Sequence, residues 1–211
     1  MAVTEARRPA PVEREEPARL EEVLDVAARL FDVKGYRGTS LSDIGEALGM
    51  NKASLYHYVR SKEDLLVRLI LRAGRRLRDV SHDPELARLP APAALERLVR
   101  EHCRVAFEHR HELGVLVQQR RYLELEALGE VAARERAYVE RLKAVIARGI
   151  AEGAFRSTDP AIAAQLVLDT VNGLLRWYRP DGRASRDAVA EETWRFVHGG
   201  LSAQPVAGAV R

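Results

Sequence analysis

Residues 40–59 constrain the fold more than any other stretch, because two helical signals stand there with only about three residues between them. Ser40 precedes the apolar series Leu41, Ile44 and Leu48, and Asp43 three residues later completes a short capping box. Gly49 stops that helix, Asn51 suits the cap of the next, and Leu55 and Val59 give the next one an apolar edge. Upstream, Leu20, Val23, Leu24, Ala27, Leu30 and Phe31 recur at helical spacing until Gly35. A first helix that buttresses two short ones across a glycine turn is a helix-turn-helix, whose second short helix enters the major groove of DNA. With Leu41, Ile44, Leu48 and Leu55 turned toward Leu24, Ala27 and Phe31, the side chains of Lys52, Ser54, Tyr56, His57 and Tyr58 are left for base edges and backbone. Lys62 and the start of the following helix are placed for phosphate.

Charge supports a polyanionic partner. The chain carries a formal +3, yet residues 50–78 alone hold eight Lys and Arg against Glu63 and Asp64, so the remainder is net negative. A solvated basic helix face has the same composition, and the motif beside it tips the reading toward DNA.

The other segments are helical too. Ser61 with Asp64 caps a helix whose stripe runs through Leu65, Leu66, Leu69, Ile70, Ala73 and Leu77 to about Val80. Pro84, Pro90 and Pro92 mark His82 to Pro92 as a connection. Helices are then expected at 92–110, 112–120, 122–152, 160–178 and 186–200, with Gly129 as a candidate break in the third of these. No strand-period run competes. The expected fold is all-α: a flexible arm at 1–17 that carries Arg7 and Arg8, a head at 18–64, a larger body at 65–201 and a tail at 202–211. The longest apolar runs fall far short of the roughly 20 residues of a membrane span, and no apolar signal core opens the chain, so a cytoplasmic protein is expected. Cys103 stands alone and implies no internal disulfide.

The runs Leu30-Phe31 to Gly35-Tyr36, Thr39-Ser40-Leu41-Ser42-Asp43-Ile44, Ala53-Ser54-Leu55-Tyr56-His57-Tyr58-Val59 and Ser61-Lys62-Glu63-Asp64-Leu65-Leu66 together resemble the head of the tetracycline-repressor (TetR) family. The resemblance implies a homodimer of about nine helices per chain: three form the head, a fourth links it, and the rest bind a ligand and dimerise. It implies DNA contacts for Thr39 and Ser42 at the second helix, for Lys52, Ser54, Tyr56, His57 and Tyr58 on the recognition helix, and for Lys62. Tyr36 is expected to pack. Gly45 stands where the family usually has alanine, at a cost of about 1 kcal/mol of helix propensity.

The body reads less clearly. Leu166, Val167, Thr170, Val171, Leu174 and Trp177, with Val189, Thr193, Trp194, Phe196 and Val197, make two broad apolar faces. They serve either the core of one chain or a four-helix dimer seam, for which Thr170, Leu174, Trp177, Trp194 and Val197 are the candidates. Polar interruptions in apolar stretches suggest an effector pocket that includes His102, Arg104, Phe107, Gln118, Arg121, Tyr122, Asn172 and Arg176. Asn172 and Arg176 lie four apart on one face of an apolar helix. The run Arg176-Trp177-Tyr178-Arg179-Pro180 with Gly182 resembles TetR-type regulators that respond to acyl-coenzyme A thioesters, against the alternative of a neutral or cationic hydrophobic effector.

Enzymatic chemistry lacks a motif: there is no GxSxG, GxGxxG, P-loop or HExxH, and no cofactor is expected. His102, Cys103, His109 and His111 are spaced poorly for ligation from one helix face. A helical lipid-binding scaffold explains pocket and seam but leaves the paired head helices without a role.

Overall fold

The computed structural model describes residues 15–119, 122 and 125–203; Arg7, Arg8, Arg121 and the tail from 204 onward lie outside the described residues. Among them stand nine α-helices: α1 (Glu15–Lys34), α2 (Leu41–Ala47), α3 (Lys52–Tyr56), α4 (Lys62–Ser81), α5 (Ala91–Glu108), α6 (Arg110–Gln119), α7 (Leu125–Ala151), α8 (Pro160–Trp177) and α9 (Arg186–Leu201). The all-α fold with a helix-turn-helix head and a larger helical body is thus observed. One turn of 3-10 helix, Pro84–Ala87, forms inside the proline-rich connection. Helix α1 begins at Glu15, ahead of the start that apolar spacing indicates, and Pro17 sits in its first turn, where a missing N–H costs no intrahelical bond. Helix α7 runs through Gly129 without a break.

Caps set most of the boundaries. The Ser40 hydroxyl accepts from Asp43 N while the Asp43 carboxylate accepts from Ser40 N, a complete capping box. Asn51 accepts from Ser54 N at 2.8 Å, Ser61 from Asp64 N at 3.0 Å and Ser185 from Ala188 N at 3.2 Å. Asp159 accepts from Ala161 N and Ile162 N, with Pro160 at the first helical position. Gly35 (φ +78°) and Gly49 (φ +64°) end α1 and α2 in left-handed backbone, where a side chain would be strained.

Head and body share one apolar core. Phe31, Ile44 and Leu55 from the head, Leu65, Leu66, Leu69 and Ile70 of α4, and Leu95, Leu98, Leu113, Leu142 and Ile146 of the body are all buried and belong to one cluster. Burying side chains of this size stabilises by about 1.5–3 kcal/mol each, so the head is fastened to the body rather than tethered to it. Helix α6 packs against both α1 and α4 and therefore touches head and linker at once. An isolated antiparallel bridge, Phe155 with Ser202, ties the α7–α8 turn to the end of α9.

Gly45 has a packing reason beyond propensity. Met50 N donates to the Gly45 carbonyl at 2.8 Å, and a β-carbon at Gly45 would stand 2.8 Å from the Met50 carbonyl oxygen. Backbone, not a flexible side chain, would have to yield. Gly45→Ala is therefore expected to lower stability, the overpacking outweighing the propensity gain by about 1 kcal/mol. A thermal melt should fall by about 3 °C.

Candidate nucleic-acid interface

The buried side chains of Leu55 and Val59 hold the five-residue α3 against the core, and Asn51 caps it. What remains outward is Lys52, Tyr56 and His57, all exposed, with Ser54 and Tyr58 half-buried. The Lys52 ammonium lies 5.9 Å from the centre of the Tyr56 ring. A groove of about 400 Å³ runs between the start of α2 and α3, bordered by Arg37, Thr39, Ser42, Asp43, Lys52, Tyr56 and Lys62 among others. Five of the eight residues expected at DNA thus meet in one groove, while Ser54, His57 and Tyr58 lie outside it.

Two of those five are committed to the protein itself. Thr39 is buried, and its hydroxyl is within hydrogen-bond reach of the carbonyls of Leu30 (3.2 Å) and Gly35 (3.0 Å), which closes the end of α1. The Lys62 ammonium donates to the carbonyls of Tyr36 (3.0 Å) and Thr39 (2.9 Å) and sits 4.5 Å over the Tyr36 ring. Two of its three donors are thereby spent on shaping the 35–39 loop. At the start of α4 the Ser61 hydroxyl accepts from Asp64 N, and the Asp64 carboxylate accepts from Arg60 N and Arg68. Arg37, exposed at the groove, was not among the expected contacts; the sequence signal for it is a cation in the loop that leads into α2.

Behind the groove, the head is latched to α6. Tyr36 packs as expected, edge-on to Phe31 and stacked on Tyr122 at 5.5 Å, and its backbone N–H donates to the Gln119 side-chain Oε1. The Arg37 guanidinium lies 5.1 Å over the Tyr122 ring. His111 meets Asp32 at 2.8 Å, and Gly114 lets Asp32 approach where a β-carbon would collide with its carboxylate. Deeper, the buried Glu112 carboxylate takes Arg76 bidentately at 3.1 and 3.2 Å and Arg72 at 3.0 Å. Arg72 also reaches Glu21 and Asp25 of α1. Burial opposes its charge, but Glu112, Asp25 and Glu21 outweigh that and raise its pKa.

Of the eight expected effector residues, Arg121 lies outside the described residues and the other seven do not gather. Arg104 is exposed, paired with Glu101 and Glu108, and borders a polar cleft of about 670 Å³ between α4 and α5. Phe107 packs on Tyr178, Gln118 is exposed, and Tyr122 belongs to the head latch. On α8, Asn172 is half-buried and Arg176 exposed. Nor do the four His and Cys side chains meet: His102 pairs with Tyr138, Cys103 with Thr193, His111 with Asp32, and His109 faces Glu112 at 3.8 Å.

The seam candidates divide. Leu174, Trp194 and Val197 are already buried within one chain, whereas Trp177 is 59% exposed and Thr170 half-buried. The apolar surface that faces outward is Ile162 (61%), Leu166 (62%) and Phe196 (72%), beside a groove of about 520 Å³ between α8 and α9.

Comparison with known proteins fits this arrangement. Residues 23–69 match "Bacterial regulatory proteins, tetR family", and residues 88–201, more than half the chain, match "Tetracyclin repressor-like, C-terminal domain". The chain belongs to the TetR family of transcriptional regulators. This TetR-family regulator is 32% identical over 193 residues to the "HTH-type transcriptional repressor KstR2" of Rhodococcus jostii (strain RHA1), covering 87% of this chain and 91% of that protein. The crystal structure of the TetR-family regulator PfmR from Thermus thermophilus superposes with a TM-score of 0.78 at 34% identity, covering 85% of this chain and 98% of that one. AibR, solved in complex with isovaleryl coenzyme A and operator DNA, superposes at 0.76 with 26% identity, covering 84% of this chain and 97% of that one. The TetR-type head is thus a DNA-binding helix-turn-helix, and no described helix of the regulator is long and apolar enough to cross a membrane.

The body of this TetR-family protein also carries a titration signature. Burial pushes His102 down to about 4, so it is neutral when folded, while the unfolded chain takes up its proton near pH 6.5. This contribution to stability is fully present above pH 6.5 and is lost as pH falls toward 4. Urea melts should show a loss of about 3 kcal/mol over that window, and His102→Gln should flatten that part of the profile relative to the unsubstituted protein.

Proposed function

We propose that this regulator is a homodimeric repressor that a small hydrophobic effector, an acyl-coenzyme A thioester in the first instance, releases from its operator. The observation that carries the reading is the α6 latch: the same helix that packs on the effector-binding body grips Tyr36, Asp32 and, through Arg72, the acids of α1. An effector that favours a different position of α6 shifts the head with it, because ligand and operator then select between two arrangements of one rigid assembly. The name of KstR2 as a repressor and the isovaleryl coenzyme A bound to AibR support repression and a thioester effector.

Ser42, Lys52, Ser54, Tyr56, His57 and Tyr58 are assigned to DNA contact, with Arg37 added at the groove. Thr39 and Lys62 shape the loop that presents them, and what Lys62 offers phosphate is its third donor. The exposed Ile162, Leu166, Trp177 and Phe196, with the half-buried Thr170, join two copies, which sets the two recognition helices about one turn of DNA apart, ~34–36 Å.

Operator binding on the DNA upstream of its own gene, followed by mobility shift, tests this reading. The unsubstituted protein should shift the DNA with an affinity that falls steeply with salt, and Tyr56→Ala/His57→Ala should bind at least about tenfold more weakly. One member of an acyl-coenzyme A panel should release it. A shift that no thioester alters leaves the regulator but removes the thioester.

A further inference from the structure

The body buries a polar pair that neither the head nor the latch uses. His102 of α5 and Tyr138 of α7 are both buried, with 3.0 Å between the Tyr138 hydroxyl and His102 Nδ1, and their rings meet edge to face. The other ring nitrogen, Nε2, is buried and has no hydrogen-bond partner among the described residues. Helix α5 packs on α7, α8 and α9, so the pair stands inside the apolar bundle of the body rather than at its rim.

Counting donors fixes the polarity of that orphan atom. If Nδ1–H donated to Tyr138, both the phenol hydrogen and the Nε2 lone pair would be left without a partner in an apolar interior. If the phenol donates to Nδ1, the tautomer that remains leaves one unpaired group, the Nε2–H donor. An unsatisfied buried donor is costly, and the arrangement with one such group is favoured over the one with two.

We infer that His102, oriented by Tyr138, is the polar anchor of the effector site, donating from Nε2–H to an uncharged carbonyl oxygen on an otherwise apolar ligand. This rests on the reading that the body binds a small effector, and it narrows that effector to compounds with a carbonyl inside their hydrophobic part, of which a thioester is one. A hydrocarbon of the same shape gains no hydrogen bond and leaves the donor unpaired. Recognition by a single buried donor therefore discriminates by the presence of the carbonyl more sharply than by chain length. Tyr138 acts as the positioning residue, since its hydroxyl decides which nitrogen carries the proton.

The test uses the full chain labelled with 15N-histidine, whose six histidines are resolved by the loss of one signal in His102→Gln. The probes are 2-nonanone and 2-methyl-1-nonene, matched in size and shape and differing in the carbonyl. The ketone should move the His102 Nε2 resonance and bind about tenfold more tightly than the alkene, the factor expected of one hydrogen bond to an otherwise unpaired buried donor. His102→Phe should erase the preference, His102→Gln should keep part of it through its amide donor, and Tyr138→Phe should weaken it. The resonance shift is read on the unsubstituted protein, so a variant that fails to fold does not decide the matter. Equal binding of the two probes with an unmoved Nε2 signal overturns the inference. So does an acyl-coenzyme A that releases operator equally well from His102→Phe, an outcome that leaves the repressor reading intact. A ketone preference in a protein that no thioester releases upholds the anchor and removes the thioester instead.

Discussion

The Glu112 carboxylate, buried between Arg72 and Arg76, is the interaction on which the arrangement of head and body depends. Arg72 carries the connection on to Glu21 and Asp25, so one network joins α1 of the head, the linking α4 and α6 of the body. Pairs of exposed charges such as Arg195 with Glu192 contribute between nothing and about 1 kcal/mol. A buried network differs in kind: removing one partner leaves a desolvated charge and costs about 3–5 kcal/mol. Geometry is thereby specified more strictly than apolar packing alone would specify it. His109, whose pKa is lowered by its own burial and then by the nearby Arg76, borders the same carboxylate at 3.8 Å.

Around this network the latch has a consistent logic. Asp32 with His111, Tyr36 N–H with Gln119 and the stack of Tyr36 on Tyr122 all join the head to α6 or the residues just after it. The last of these extends through Arg37 to the groove at α2 and α3. A shift of α6 therefore reaches the groove through side chains that touch, without any change inside the recognition helix. The buried His102 and Tyr138 lie in the body beyond α6, where an occupant would act on the bundle before it acts on the head.

Helix positions were legible because their determinants are local. Ser40 with Asp43, Asn51, Ser61 with Asp64, Asp159-Pro160 and Ser185 each cap the helix that follows within three residues, and Gly35 and Gly49 each end one. The outward-facing side chains of α3 were legible for the same reason, since burial of Leu55, and of Val59 just beyond the helix, dictates which residues of the segment face outward. Pairings across the chain were not. Glu112 and Arg72 are 40 positions apart, and nothing in the period of α4 or α6 distinguishes them from solvated charges. Polarity on an apolar helix, the signal that marks the effector candidates, does not separate Tyr122 at the head latch or Arg104 in a surface ion pair from His102 inside the bundle. On α8 and α9 the apolar arc is wide enough to serve a core and a seam together. Periodicity gives its centre but not the line between Leu174, which faces inward, and Leu166, which faces out.

Coupling of head and body through Glu112 is tested most directly by the operator affinity of Glu112→Gln, an isosteric change that keeps the side-chain volume and removes the charge. It should be measured beside a substitution of similar destabilisation far from α6, such as Gly149→Ala against Phe155. Loss of the network should weaken operator binding about tenfold in Glu112→Gln, within the usual range of coupling between sites, and leave the Gly149 variant at wild-type affinity. Equal operator affinity in a folded Glu112→Gln protein would contradict the coupling and place control of the head elsewhere.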